Sequence, residues 1–389
     1  DQIGLPILVS ETGHSSTENL LPGAEFRQEE ALPSTMWESL SAGAIAVHFF
    51  HWSDRNDFTE DFFIRERGFG IVRQNRRIKP HHEEGMSPVY KNVEAMFRRM
   101  DEIDIGHLLG GSKDPEAEIL MFITPEGNMT FPRANQEGSM LWGALRRAGY
   151  QVGLIDEEGF SAGEFEGARA FALSRCAQLR PETLERVKDT LLPAGIHVHA
   201  NADLPGELNA YWQSNANWVA RMSDIFGVDV SAADAAWNDG VSGGFNETYR
   251  DLRVKGVNPL GRLTPDFDET VLTWKILHGV QPVSGTTILA HDGLENTAPG
   301  SLALHVREHA NAKTAINTYA FGDTFGSSSA TNLWDIRSDI VGAIYEDYFG
   351  IEPTIKVSGE GAAYVMSDYR VCRNGSLLLG LLNEHEGPV

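Results

Sequence analysis

The sequence predicts an α/β protein that begins with βα units, continues as a doubly wound sheet and ends in a small all-β module. Continuous apolar runs alternate with helical patterns as far as about residue 222, which is typical of parallel strands covered on both faces. Residues 223–312 are broken by Gly, Asn and Asp into short possible strands. After residue 350 alternating strand patterns take over.

Residues 1–104 predict two strands and two helices in alternation. "LPILVSE" is a continuous apolar run of the kind that buried parallel strands show. A helix around "TMWESLSAG" follows, and Gly43 is placed to end it. "AIAVHFFHW" predicts a second buried strand, and "SPVYKNVEAMFRRMDEI" has the apolar spacing of an amphipathic helix.

Residues 105–349 predict a doubly wound domain with a β-rich insertion over 223–312. Strands are expected at "AEILMFITPEG", "QVGLID", "ARAFALSRC", "IHVHANA" and "KTAINTYAFG". Helices are expected at "GSMLWGALRRAGY", at "RPETLERVKDTLLPAG" with Pro181 in its first turn, and at "NLWDIRSDIVGAIYEDYFG", which ends at Gly350. The insertion includes the possible strands "TVLTWKIL" and "GTTILAHDG".

Residues 350–389 predict the start of an all-β module. Its strands are expected at "TIKVSG", "AAYVMSDYRVC" and "SLLLGLLNE", with a turn at Asn374 and Gly375. These strands follow the closing helix of the doubly wound domain, so we expect a separate small domain.

The composition excludes several classes of partner. The chain has 389 residues, with 32 Lys and Arg against 55 Asp and Glu and a net charge of −23. Such a charge repels nucleic acids and anionic membranes, so a neutral or cationic ligand is expected. Cys176 and Cys372 form no C-x-x-C pair, and no G-x-G-x-x-G follows the first strand of the doubly wound domain. We therefore expect no metal and no cofactor.

The chain is expected to be soluble, with the cytoplasm favoured over secretion. No run approaches 18 apolar residues, and the first residues lack the basic-then-apolar order of a signal peptide. Because residue 1 is not Met, we expect the true start to lie upstream.

Glu11 and Trp52 stand at the ends of the first two predicted strands. In a barrel of βα units the carboxyl ends of the strands carry the reactive groups, so both side chains would face one cleft. A carboxylate there can attack the anomeric carbon of a sugar, and an indole face can pack against a pyranose ring. The structural alternative for Glu11 is a cap or an ion-pair partner.

The stretches "PILVSETG", "WESLSAGAIAVHFFHW" and "RGFGIVRQNRRIKP" resemble the last two βα units of clan A glycoside hydrolases. In that clan the seventh strand ends in the nucleophilic Glu and the eighth in a Trp. "ALSRCAQLRPETLERVKDTLLPAGIHVHANAD" resembles the flavodoxin-like trimerisation domain of family 42 β-galactosidases, and the tail resembles the small β-domain that follows it. The resemblance covers nearly the whole chain.

The resemblance implies a fold and an assembly. Residues 1–104 would be strands seven and eight of a TIM barrel, the (β/α)8 catalytic barrel. Residues 105–349 would be the flavodoxin-like domain, and residues 350–389 the start of a small β-sandwich domain. A homotrimer is implied, built largely through the flavodoxin-like domain.

The resemblance also implies a retaining β-galactosidase-like enzyme that acts on a β-linked oligosaccharide or glycoside. Glu11 becomes the catalytic nucleophile and Trp52 a sugar-stacking residue. His14 and His51, which neighbour them in sequence, are further candidates for substrate binding. No nucleic acid, membrane, cofactor or metal is implied.

The second carboxyl group of this mechanism is missing from the sequence. Retaining hydrolysis needs two carboxyl groups roughly 5 to 5.5 Å apart, and the family's acid/base Glu stands on the fourth strand after an Asn. Neither Glu38 nor Glu66 is placed in that way. We therefore expect the acid/base Glu outside this segment. The alternative is a non-catalytic oligomerisation or carbohydrate-binding protein with a degenerate barrel.

Two other nucleophile patterns are disfavoured. "GFSAG" matches a nucleophile elbow at Ser161, but "DEE" separates it from the preceding strand and would oppose an oxyanion. Cys176 ends a strand as an amidotransferase nucleophile would, yet no adjacent base or oxyanion glycine is evident. In "HFFH", His48 and His51 would point to opposite faces of a strand, so they cannot share a metal ion.

Overall fold

The computed structural model describes residues 7–12, 32–37, 39–40, 43–49, 71, 88–123, 134–174, 176, 179–201, 217–237, 250–273, 275–292, 301–319 and 333–383. The chain divides into two compact units. The first comprises residues 1–115 and 367–382, and the second comprises residues 116–366 and 383–389.

The first unit contains a parallel strand pair. Strand β1 is Ile7–Thr12 and β2 is Ala44–Phe49, and they pair in parallel. Residues 32–37 and 39–40 between them are helical. Gly43 donates its N–H to the carbonyl of Leu40 at 3.0 Å and has a φ of +91°, which only glycine adopts readily. The strand–helix–strand unit that the sequence predicted is present.

Two further helices follow in this unit. Helix α1 is Pro88–Glu102 and α2 is Ile105–Leu109. The apolar stripe of α1 includes Val93 and Met96, one turn apart, and both are buried. They form a small core with three residues of the helical segment before β2 and with Ile71, which lies between β2 and α1. Its members are Leu32, Met36, Leu40, Ile71, Val93 and Met96.

The second unit is built on a large sheet with flanking helices. Its strands are β3 Ile119–Phe122, β4 Val152–Ile155, β5 Ala170–Ser174, β6 His197–Asn201, β7 Val228–Asp229, β8 Asp234–Trp237, β9 Arg250–Gly256, β10 Asp268–Thr273, β11 Lys275–His278, β12 Gln281–Pro282, β13 Thr286–Asp292, β14 Ser301–Glu308 and β15 Lys313–Asn317. Its helices are α3 Ala134–Arg147, α4 Glu157–Ala162, α5 Pro181–Arg186, α6 Trp218–Phe226 and α7 Leu333–Gly342. Wider helical turns extend α5 over Val187–Leu191 and α7 over Ala343–Tyr348.

Nine of these strands form one mixed sheet in the order β10-β9-β13-β14-β15-β6-β5-β3-β4. The strands β4, β3, β5, β6 and β15 are parallel. Numbered along the chain, their order is 2-1-3-4-5, one of the two common orders of doubly wound sheets.

The segment 223–312, predicted as a β-rich insertion, is rich in strands, and β7, β8, β11 and β12 form two separate two-stranded ladders. Its other four strands join the main sheet. Strands β14, β13, β9 and β10 continue the sheet antiparallel beyond β15 and cover what would otherwise be an open edge. Helix α6, which the sequence analysis did not identify, runs into the start of this segment. It buries Met222, Ile225 and Phe226, which have the spacing of one helical face.

Separate apolar cores pack against the two faces of the sheet. On β5, Ala170 and Ala172 belong to one core, whereas Phe171 and Leu173 belong to the other. Alternate residues of a strand point to opposite faces, so a strand covered on both sides must be apolar at every position. This double burial explains the continuous apolar run in the sequence.

The tail forms a single hairpin. Strands β16 Val365–Val371 and β17 Leu377–Asn383 pair with each other, and Gly375 turns between them with a φ of +79°. The predicted strand "TIKVSG" is wrong, because residues 354–359 are irregular. The N–H of Ile355 donates to the carbonyl of Gly149 at 3.1 Å, so its backbone bonds a helix terminus instead of a neighbouring strand.

Candidate functional site

Glu11 lies at the carboxyl end of β1, one residue before the strand ends. Val9 stands opposite Val47 and Thr12 opposite Phe49, so Ser10 and Glu11 together face the single residue His48. An extra residue of this kind re-aims side chains and is over-represented beside active sites. The backbone therefore brings Glu11 next to β2, as the sequence predicted.

The face that β2 turns away from the helices carries His48. Val47 and Phe49 pack against the core formed by the helices of the first unit. Residues of a strand alternate between faces, so His48 points to the opposite side, where it is exposed. The strand pair thus has one apolar face towards the helices and a polar group on its other face, beside Glu11.

The remaining predicted site residues cannot be placed against this strand pair. His14, His51 and Trp52 lie outside the described residues, and so do Glu38 and Glu66. Their roles stay predictions.

Cys176 has the environment of a structural thiol. It is fully buried after β5, and its Sγ lies 3.4 Å from the carbonyl oxygen of Ser174. Burial, and next the negative charge of Glu157, raises the pKa of the Cys176 thiol well above its usual range. A nucleophilic cysteine must form the thiolate, so this environment opposes amidotransferase-like chemistry.

Ser161 is not at a nucleophile elbow. Helix α4 begins at Glu157, and the side chain of Asp156 caps it by accepting the N–H of Gly159 at 2.8 Å. An elbow places its serine in the turn between strand and helix. Ser161 stands a full turn inside the helix, and its carbonyl accepts a hydrogen bond from Arg186 at 2.7 Å.

His199 on β6 is a buried structural histidine. Its Nε2 lies 2.9 Å from Oδ1 of Asn317 and its Nδ1 lies 3.1 Å from the hydroxyl of Tyr345. The amide oxygen can only accept, so Nε2 carries the proton and Nδ1 accepts from the tyrosine. Burial lowers the pKa of His199 to about 4, and the ring is neutral near pH 7.

In the part of the chain that the structure describes, no three His, Cys, Asp or Glu side chains are grouped so that they could hold a metal ion. None of the described helices is long and apolar enough to cross a membrane.

Several solved structures match nearly the whole chain. The β-galactosidase from Bacillus circulans sp. alkalophilus matches with a TM-score of 0.65 at 13% identity, over 98% of this chain and 50% of that one. The β-galactosidase from Rahnella sp. R3 matches with a TM-score of 0.62 at 14% identity, over 91% of this chain and 46% of that one. A catalytic mutant of Gan42B, a GH42 β-galactosidase from G. stearothermophilus, matches with a TM-score of 0.57 at 12% identity, over 89% of this chain and 43% of that one.

These matches concern the fold. The chain spans about half the length of the structures it matches. No protein-family model and no curated protein sequence matches the chain. At such low identity the likeness is one of fold alone, and in fold this chain resembles the GH42 β-galactosidases over nearly its whole length.

Proposed function

We propose that this chain is part of a retaining glycoside hydrolase, similar to the β-galactosidases, that cleaves a β-linked glycoside with Glu11 as the nucleophile. The observation that carries the proposal is the position of Glu11, at the carboxyl end of a strand that pairs in parallel with the next strand. A fold like that of β-galactosidases also supports the proposal. One matching structure is a catalytic mutant in which a glutamate is replaced by alanine, so that relative also depends on a glutamate.

The chemistry would be a double displacement. The Glu11 carboxylate forms a bond to the anomeric carbon while the bond to the leaving oxygen breaks, and a second carboxylic acid gives that oxygen its proton. Water then gives a proton to the same second residue, and its oxygen displaces Glu11 from the sugar. That acid/base Glu would lie outside this segment.

The proposed domain assignment follows the same likeness. Residues 1–104 would be the last two βα units of a TIM barrel, with β1 and β2 as strands seven and eight. In a barrel the non-helical face of a strand points inward, which is the face that carries His48. Residues 105–349 would be a flavodoxin-like domain, which the 2-1-3-4-5 strand order supports, and residues 350–389 would begin a β-sandwich.

The experiment that tests the nucleophile is covalent trapping. The complete enzyme is incubated with a 2-fluoro β-galactoside that carries a good leaving group, and the labelled peptide is identified by mass spectrometry. We expect the label on Glu11. Glu11→Gln should lower kcat/KM by roughly three orders of magnitude or more, whereas Glu94→Gln, at an exposed ion pair on α1, should leave it unchanged. A label on another residue contradicts the assignment, and no turnover of any aryl glycoside favours the non-catalytic alternative.

Trp52 supplies a second test of the same cleft. If its indole stacks on the sugar, Trp52→Ala should lose about 1 to 3 kcal/mol of transition-state stabilisation and leave the thermal midpoint largely unchanged. If Trp52 is instead a core residue, the change should cost about 3 to 5 kcal/mol of folding stability. Comparing kcat/KM with the thermal midpoint separates the two outcomes.

Substitutions at His14 and His51 should raise KM without unfolding the protein.

A further inference from the structure

A cavity of about 410 Å³ lies within the second unit. Its walls are the end of α3, the middle of α7 with the turn that follows, and the irregular segment 353–363, and Arg262 also lines it. All of its lining residues belong to this unit, so the cavity shares no residue with the strand pair that carries Glu11. Its size falls within the range of roughly 300 to 1,000 Å³ that is usual for small-molecule sites.

The charges around this cavity nearly cancel. Arg262 donates from Nε and Nη2 to Asp347 at 3.0 and 3.2 Å, and from Nη2 to Glu346 at 2.6 Å. Lys356 donates to Glu346 and to Glu352, each at 2.7 Å. Arg262 and Lys356 are thus each matched by carboxylates, and Arg147 and Asp339 add one charge of each sign to the lining. A strongly charged ligand of either sign would meet groups of its own sign in the wall.

The wall nevertheless keeps unused hydrogen-bonding capacity. Nη1 of Arg262 makes no hydrogen bond to any described residue. The guanidinium of Arg262 lies against α7 at Gly342. A Cβ on residue 342 would lie 2.2 Å from Nη1, so the glycine leaves room for the guanidinium. Each oxygen of Glu346 accepts one bond and can accept another. Donors and acceptors therefore stand side by side.

Two buried hydroxyl groups on residues of the same wall have no partner among the described residues. The hydroxyl of Tyr150 and Oγ of Ser338 are inaccessible to solvent and bonded to no described residue, and the whole side chain of Tyr150 is only 2% exposed. Burial, followed by the charge of Glu346, raises the pKa of Tyr150, so its hydroxyl keeps the proton it could donate. An unpaired buried hydroxyl destabilises the folded chain, so a ligand that gave these two hydroxyls a partner would stabilise it.

We infer that this cavity is a binding site for a neutral polyhydroxyl compound of mono- to disaccharide size. Each hydroxyl of such a ligand donates one hydrogen bond and accepts others. Arg262 would donate to it and Glu346 would accept from it. The hydroxyls of Tyr150 and Ser338, which are covered in this structure, would do both after a small turn of their side chains towards the cavity. The apolar side chains of Pro353 and Val357 would contact its carbon-bonded faces. The low net charge of the wall selects a neutral ligand.

The test is a binding titration on the full chain. The parent is a Glu11→Ala/Trp52→Ala variant, so that binding at the proposed catalytic cleft does not contribute. D-galactose, D-glucose, lactose and glycerol are titrated to 100 mM and followed by calorimetry and ligand-observed NMR. We expect at least one sugar to bind. Tyr150→Phe and Ser338→Ala should each weaken its affinity roughly 2- to 10-fold, the effect of one hydrogen bond.

The sugar-free proteins supply a second readout and a matched control. Tyr150→Phe should raise the thermal midpoint without sugar, because it removes the unpaired hydroxyl. Tyr348 also buries a hydroxyl that is bonded to no described residue, but Tyr348 does not line the cavity. Tyr348→Phe should therefore leave sugar affinity unchanged. The inference is overturned if no sugar binds, if Tyr150→Phe binds sugar as tightly as its parent, or if sodium phosphate or glycine betaine binds in a Tyr150-dependent way while sugars do not. The trapping experiment at Glu11 is unaffected by any of these outcomes.

Discussion

His199 is a residue at which burial lowers the pKa against the opposing effect of its hydrogen bond to Asn317, which raises it. Its folded pKa is about 4 against 6.5 for a free histidine, because the neutral ring is enclosed between Asn317 and Tyr345. Between these two values the unfolded chain binds a proton that the folded chain does not. We expect the free energy of unfolding to fall as the pH is lowered from 6.5 towards 4, by about 1.4 kcal/mol per pH unit for one such group.

Urea unfolding between pH 4 and 7 measures this effect. His199→Gln keeps a hydrogen-bonding amide but cannot titrate, so its pH dependence should be shallower than that of the wild type. Burial also lowers the pKa values of His197, His305 and His309, so part of the slope should remain. A His199→Gln profile parallel to that of the wild type would refute the assignment.

Among the helices and their connections, the end of α3 depends on a close backbone approach. Gly149 has a φ of +89°, its carbonyl accepts the N–H of Ile355, and an added Cβ would lie 1.7 Å from the carbonyl oxygen of Ile355. Only glycine satisfies both the backbone angle and the contact. This contact ties the irregular segment after α7 to the terminus of α3.

Gly167 is a matched control for this contact. Its φ is +85°, yet an added Cβ would meet nothing within 4 Å. Gly167→Ala should therefore cost only the left-handed strain of about 1 to 2 kcal/mol. Gly149→Ala should cost about 1 to 3 kcal/mol more, because the backbone must also shift. Equal losses in denaturant unfolding would show that the Ile355 contact does not constrain α3.

For the whole molecule we predict a homotrimer built largely through residues 105–349. The prediction rests on the resemblance to a trimerisation domain and on the absence of a phosphate-binding turn that would give the doubly wound domain a ligand of its own. Copies of this 389-residue chain carry a charge of −23 each and repel one another, so trimer stability should rise modestly as salt screens that repulsion. Light scattering of the complete enzyme at several salt concentrations measures this. A monomer mass at micromolar concentration would exclude the trimer.

The local pattern of the sequence determined the elements that depend on neighbouring residues. Apolar runs marked the strands that are covered on both faces, such as β5, and Gly43 marked the end of the first helix. Pro181 indeed occupies the first turn of α5. The position of Glu11 near the end of β1 could also be predicted, because strand length follows from the apolar run itself. The local pattern predicts neither the partner of a strand nor the second carboxyl group.

Only the tertiary structure decided the features that join distant segments. Strands β9, β10, β13 and β14 were predicted as part of an insertion, but β14 pairs with β15 and the other three extend from β14, which makes all four part of the main sheet. The extra residue that brings Glu11 beside His48 exists only in the register of two strands. The cavity brings together Tyr150, Arg262 and Ser338, which no motif connects. Hydrogen bonds between distant strands and the burial of hydroxyl groups depend on contacts between segments that are far apart in sequence. Local periodicity does not predict such contacts.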